Sequence, residues 1–142
     1  MPDILHRVGI NVKSDKIFKT LTTLEGLRHW WVAETMGNPK LGGVINFGFC
    51  KMKVVAAKPG KLVRWECVSG PKEWLGTEVT FQLNFKQGQT FILFKHAGWK
   101  EPVEFMHHCS TKWATFLLSL KSWLEQAEGR PSPYDVKIHV GD

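Results

Sequence analysis

VEFMHHCSTKWATFLLSLKSWLEQA, Val103–Ala127, is the stretch whose reading decides how the rest of the chain is understood. Its apolar residues recur at three- and four-residue steps. At about 100° per residue, Met106, Cys109, Trp113, Leu117, Leu120 and Leu124 fall on one face. His108, Lys112, Thr115, Ser119, Ser122 and Gln126 fall opposite. Pro102 suits a first helical turn, where its missing N–H is no loss, and Gly129 suits the stop. The pattern predicts a helix of roughly 25 residues, ~37 Å at 1.5 Å per residue. Such a helix crosses a small domain from edge to edge.

Upstream of it, the period is mostly two. His6, Val8, Ile10 and Val12 alternate with Arg7, Gly9, Asn11 and Lys13, a half-buried strand. Ser14 and Thr23 then read as N-caps of two short helices, with Ile17, Phe18 and Leu21, then Leu24, Leu27, Trp30 and Trp31, as apolar sides. Gly37, Asn38, Pro39, Gly42 and Gly43 mark a loop. Strand alternation follows through Ile45, Phe47 and Phe49, through Met52 to Ala56, through Val63, Trp65 and Cys67, and through Val79, Phe81, Leu83 and Phe85. Thr90 to Ala97 is apolar on both faces, so it is expected at the centre of a sheet. Short turns such as Pro59-Gly60 make consecutive strands antiparallel. The expected class is α+β: one strand, two short helices, a meander and one long helix.

The 142 residues suit one domain, 1–142, with an extended C-terminal tail at 129–142. A hydrophobic content of 43% excludes disordered and fibrous classes. Three cysteines without metal-type spacing argue for a reducing compartment. The start, Met1-Pro2-Asp3-Ile4, shows no export signal, and no apolar run is long enough for a membrane span. The expectation is a cytoplasmic protein. Its net charge of +6 invites a nucleic-acid reading, but Lys and Arg are scattered. Only Lys51, Lys53, Lys58, Lys61 and Arg64 approach a cluster, so no nucleic-acid partner is expected.

Four motifs in order carry a family resemblance: Leu21-Thr22-Thr23-Leu24-Glu25-Gly26-Leu27 with Trp30-Trp31, Gly42-Gly43 before an aromatic strand, Pro59-Gly60-Lys61-Leu62-Val63-Arg64-Trp65, and His96-Ala97-Gly98-Trp99. From about Leu5 to Ala127 the chain resembles the START-like (SRPBCC) superfamily, in its heat-shock protein 90 ATPase activator-like branch of single-domain bacterial type. Leu24 stands where many relatives have proline, which alters only a helix start. The resemblance implies the helix-grip fold, a curved antiparallel sheet of about six strands wrapped around the long C-terminal helix. It also implies a cavity for a small apolar molecule such as a lipid, a sterol or a polyketide-like aromatic. Some branches perform cyclase or dehydratase chemistry there, and others are chaperone partners. The eukaryotic activators carry a further domain important for stimulating the ATPase.

The two halves of the helix differ. From Phe116 onward the inner face is crowded, whereas Met106, Cys109, Ser110 and Trp113 form a looser, more polar mixture. A cavity is therefore expected between that first half and the sheet, faced by Phe47, Trp65 and Phe81, with Trp30 and Trp74 near its entrance. Phe49 is also read as pointing inward. Indole N–H groups need partners when buried, so several inward tryptophans suit a partly hollow interior. No cofactor and no metal are expected. His107, His108 and Cys109 diverge around a helix, and no CxxC, HxxxH or HExxH spacing occurs. Ser110 and His107 could approach each other but lack a signalled acid and oxyanion hole. His96 and Glu104 are the candidates for acid–base work at the cavity mouth. A non-catalytic carrier is the leading expectation; a cavity enzyme and a chaperone-related interaction module are the alternatives.

Overall fold

The computed structural model describes residues 2–142, so Met1 of the expected 1–142 span lies outside it. Its elements are β1 (Ile4–Ile10), α1 (Ser14–Leu21), α2 (Leu24–Trp30), β2 (Met36–Gly37), β3 (Val44–Asn46), β4 (Lys51–Lys58), β5 (Leu62–Ser69), β6 (Glu78–Lys86), β7 (Gln89–Ala97) and α3 (Glu104–Gln126). The strands form one sheet in the order β1-β7-β6-β5-β4-β3-β2. Every pairing is antiparallel. β1 and β2 lie at opposite edges and are joined through α1 and α2, the helix-grip arrangement. Register shifts at Lys51/Met52 and Val54/Ala56 mark irregularities where the β4–β5 ribbon bends. The seventh strand is β2, two residues long, in what reads from sequence as pure loop.

Local chemistry explains the boundaries. Thr23 caps α2, its hydroxyl accepting from Gly26 N at 3.1 Å. Ser14 is instead the first residue of α1, and the N-cap Lys13 has no side-chain bond. Pro102 lies just before the α3 N-cap, Val103. α3 stops at Ala127, which takes a left-handed φ of 59° and donates its N–H to Trp123 O. Gly129 serves another purpose: a Cβ there would sit 1.8 Å from the His29 carbonyl oxygen. Only glycine lets the chain leave α3 that close to α2. Beyond β3 the alternation breaks in a turn at Gly48 (φ 87°), so Phe49 is half exposed rather than inward.

β7 lies between β1 and β6, as its two-sided apolar pattern requires. Its outer face is partly covered, with the Arg7 guanidinium 4.0 Å from the Phe91 ring centre. α3 lies against β1 and α2. Lys121 donates to Gly9 O at 2.6 Å, and Glu125 accepts from Asn11 N at 2.8 Å. These bonds pin the second half of α3 to the end of β1. One apolar cluster unites sheet, α1, α2 and α3. Among the described residues no helix is long and apolar enough to cross a membrane.

The tail does not pair with the sheet. Ser132 N donates to Trp31 O at 2.7 Å and Ser132 O accepts from Ala33 N at 3.0 Å. Arg130 N donates to Ser119 Oγ at 2.7 Å. Ser119, read as solvent-facing, is therefore buried beneath the tail.

Candidate functional site

The inner face of α3 meets a packed aromatic layer. Trp31 stacks parallel to Trp65 at 5.7 Å and lies 4.1 Å from Phe47 and 4.8 Å from Trp113, centre to centre. Phe81 meets Trp65 edge-on at 5.0 Å and Phe94 at 5.4 Å. Such offset and T-shaped pairs are the favoured ring arrangements, and they close the space that sequence reading expected to be hollow.

Behind this layer runs a buried hydrogen-bond chain whose proton positions follow from chemistry. The Trp113 indole N–H donates to His96 Nδ1 at 3.1 Å. An indole can only donate, so Nδ1 carries the lone pair and Nε2 the proton. Nε2 then donates to Thr77 Oγ1 at 2.8 Å, and that hydroxyl donates to Trp74 O at 2.6 Å. Burial pushes His96 down to about 3, so it stays neutral. Both ring nitrogens are engaged and His96 is fully buried, so it is not at a mouth and has no free lone pair for base catalysis. It holds Trp113 and the Trp74 segment in place.

Open volume lies on the flank of α3 instead. A cleft of about 360 Å³ is bordered by Trp31 at the end of α2, Phe49 in the β3–β4 turn and Trp74 in the β5–β6 connection. α3 contributes Phe105, His108, Cys109, Lys112, Trp113 and Phe116. The tail supplies the other wall through Ser132, Pro133, Asp135, Lys137 and Asp142. The Trp74 indole N–H is buried beside the Cys109 thiol, and among the described residues those of Trp30, Trp65 and Trp99 are buried without a hydrogen-bond partner. Burial pushes the Cys109 thiol up to about 12, with the Trp74 side chain opposing the rise. It is a poor nucleophile.

The polar wall is an ion-pair clasp. Lys112 Nζ donates to Asp135 Oδ2 and, at 2.9 Å, to Asp142 Oδ2. Lys137 reaches Asp135 Oδ1 at 3.1 Å. Burial works against the Lys112 charge, but its bonds to Asp135 and Asp142 prevail and raise its pKa. The Lys112 bond holds the Asp142 carboxyl down at about 2. Burial opposes the charge of Asp135, yet Lys112 and Lys137 keep that carboxyl below its usual range.

Of the residues expected to line a cavity, Trp74, Cys109 and Trp113 border this cleft. Trp30, Phe47, Trp65 and Phe81 lie in the aromatic core, where neighbouring rings fill the space, and do not border it. Met106 is half-buried at the edge of the core. Ser110 meets His6, not His107: His6 Nε2 lies 3.0 Å from Ser110 O and 3.2 Å from Ser110 Oγ. A carbonyl only accepts, so Nε2 carries the proton and cannot take one from the hydroxyl. Glu104 is exposed in the first turn of α3 and does not border the cleft. The expected lining left out Trp31, Phe49, Phe105, His108, Lys112, Phe116 and the whole tail wall. The adjacency of Trp31 to Trp30 was a usable signal, because neighbours on a helix diverge by about 100° and cannot both face one cavity.

A curved antiparallel sheet gripping a long helix, with open volume beside that helix, defines a helix-grip protein of the START-like kind. The family model for Activator of Hsp90 ATPase homolog 1-like protein matches residues 11–125, and the chain belongs to that family. The solution structure of the Aha1 dimer from Colwellia psychrerythraea is 43% identical, with a TM-score of 0.83, and the match covers 91% of this chain and 100% of that one. Protein SSP2350 from Staphylococcus saprophyticus shares the fold at 15% identity and a TM-score of 0.77, over 92% of this chain and 98% of that one. CalU16 from Micromonospora echinospora does so at 20% identity and 0.75, over 92% and 77%. No curated protein matches the sequence. The fold is compatible with binding a hydrophobic ligand.

Proposed function

We propose that the protein binds a small hydrophobic ligand, a lipid, sterol or polyketide-like aromatic, in the cleft between the first half of α3 and the tail, without transforming it. One observation carries this reading. The cleft is lined by the rings of Trp31, Phe49, Trp74, Phe105, Trp113 and Phe116, with polar groups of α3 and the tail confined to its other wall. Ligand sites have this character: mostly apolar, with a few polar groups that fix orientation. Support for a non-catalytic role comes from the titratable groups. Lys112 is committed to Asp135 and to Asp142 Oδ2, and Cys109 is held protonated.

A screen of fatty acids, sterols and flavonoid-like aromatics tests the reading through tryptophan fluorescence and melting temperature. A ligand at about 100 times its Kd should stabilise the fold by about 2.7 kcal/mol. Phe105→Ala removes a half-buried ring from the lining, so a ligand seated there should bind at least about tenfold more weakly, for roughly 1.5–3 kcal/mol per buried apolar side chain. Silence in both signals across the screen rejects the carrier.

A second reading, an interaction module, is favoured by the dimer named for the Colwellia protein. Met36, Leu41 and Val44 expose apolar surface around the short edge strand β2. Sedimentation of this chain across a concentration series decides whether it self-associates. Addition of heat-shock protein 90 to the same experiment tests the chaperone partner.

A further inference from the structure

We infer that His108, His139 and Asp142 form a binding site for a divalent transition-metal ion that clips the tail to α3. One potential ligand atom from each of the three lies within 4.8 Å of the other two. The residues come from two segments, α3 and the tail, so no sequence spacing announces them. The imidazole centres of His108 and His139 are 5.4 Å apart and their planes are inclined at 51°, not stacked flat. Two nitrogens can therefore address a common point.

The surrounding hydrogen bonds prepare two of the ligands. His139 Nδ1 lies 2.8 Å from Val140 O. A carbonyl only accepts, so Nδ1 holds the proton and Nε2 the free lone pair, the tautomer a metal needs. Asp142 Oδ2 is held by Lys112 Nζ and by Ile138 N, each at 2.9 Å, which leaves Oδ1 for a cation. Tetrahedral coordination with bonds of ~2.1 Å needs ligand atoms ~3.4 Å apart. Closing in from 4.8 Å takes rotation of more than one of the three side chains, none of which is buried. Two imidazoles and one carboxylate suit zinc, cobalt or nickel better than the oxygen-seeking calcium or magnesium.

Position gives the site its meaning. His108 and Asp142 also border the cleft, so a bound ion stands at its rim and ties both walls together. The inference does not depend on any apolar ligand.

Zinc titration of the full chain by calorimetry is the test. The expected result is one ion per chain, with His139→Ala and Asp142→Asn each weakening binding by more than about a hundredfold, beyond the effect typical of losing a ligand's hydrogen-bonding support. His107→Ala, an exposed neighbour on the same helix, should leave binding unchanged. Near-UV circular dichroism checks that each variant is folded; should Asp142→Asn unfold, His139→Ala decides. Cobalt should broaden the imidazole resonances of His108 and His139 and leave those of His29 and His96 sharp. Equal loss in His107→Ala, no loss in His139→Ala, or binding only at millimolar metal overturns the site.

Discussion

The two sides of α3 are built on opposite principles. Its inner face is neutral and interlocked, with Trp113 against Trp31, Phe94 and His96 and its one polar atom answered by a buried imidazole. Its flank is charged and incompletely filled, with Lys112 held between two carboxylates of the tail beside an open cleft. Shape holds the first together and charge holds the second. Binding capacity accordingly sits where packing was left unfinished, not where the most aromatic rings are.

Breaking the inner side should cost most. Trp113→Ala removes a ring that is 2% exposed and strands His96 Nδ1, for a loss of about 3–5 kcal/mol in chemical denaturation. Lys112→Ala leaves Asp135 buried with one cation fewer and should cost about 1–3 kcal/mol, far above the value for a free surface lysine. Acid should act on both sides. Burial lowers the His96 pKa to about 3, so the inner side loses stability as pH falls from the ordinary ~6.5 through about 3. Asp142 and Asp135 have depressed carboxyl pKa values, so their stabilisation is complete above the ordinary ~3.9. It is lost as pH falls, through about 2 for Asp142. Lys112 is raised, so its share is present below ~10.4 and lost at higher pH. Lys137, His108 and His139 face the same carboxylates. Amide hydrogen exchange, corrected for intrinsic rate, should accelerate around His96 by about pH 3 and at residues 131–142 only near pH 2. The smallest effect belongs to Leu118→Ala, within about 0.5 kcal/mol, because that leucine is 58% exposed. If Leu118→Ala exceeds Lys112→Ala, the division of α3 into an interlocked face and a clasped flank is wrong.

Periodicity made α3, the meander and the sheet edges legible, because burial on one side leaves a period of 3.6 or 2 in the residues themselves. The failures share a cause. Lys112 and Ser119 are polar, so the helical pattern put them in solvent, and nothing local reveals that a tail returns to cover them. Phe49 continued an alternation that a glycine turn had already ended. Trp30, Phe47, Trp65 and Phe81 have inward positions that are readable from pattern. Whether inward means packed or hollow depends on ring-to-ring fit across four different elements, which no window of sequence contains. The cleft was half visible, through Trp74, Cys109 and Trp113. Its tail wall was not, because the alternation of Val136, Ile138 and Val140 does not say which surface the tail returns to.

The aromatic layer has an optical consequence. Trp30, Trp31, Trp113 and Trp74 form a relay with successive centres at 5.9, 4.8 and 6.1 Å, and Trp65 branches from Trp31 at 5.7 Å. Indoles this close share excitation, so none of them emits as an isolated chromophore. A molecule touching only Trp74 or Trp31 in the cleft would alter light collected by the deeply buried Trp65. Intrinsic emission therefore reports occupancy strongly but reports location badly. Exciton bands in the near-ultraviolet circular dichroism, which depend on the mutual orientation of the rings, would show whether the stack itself has moved.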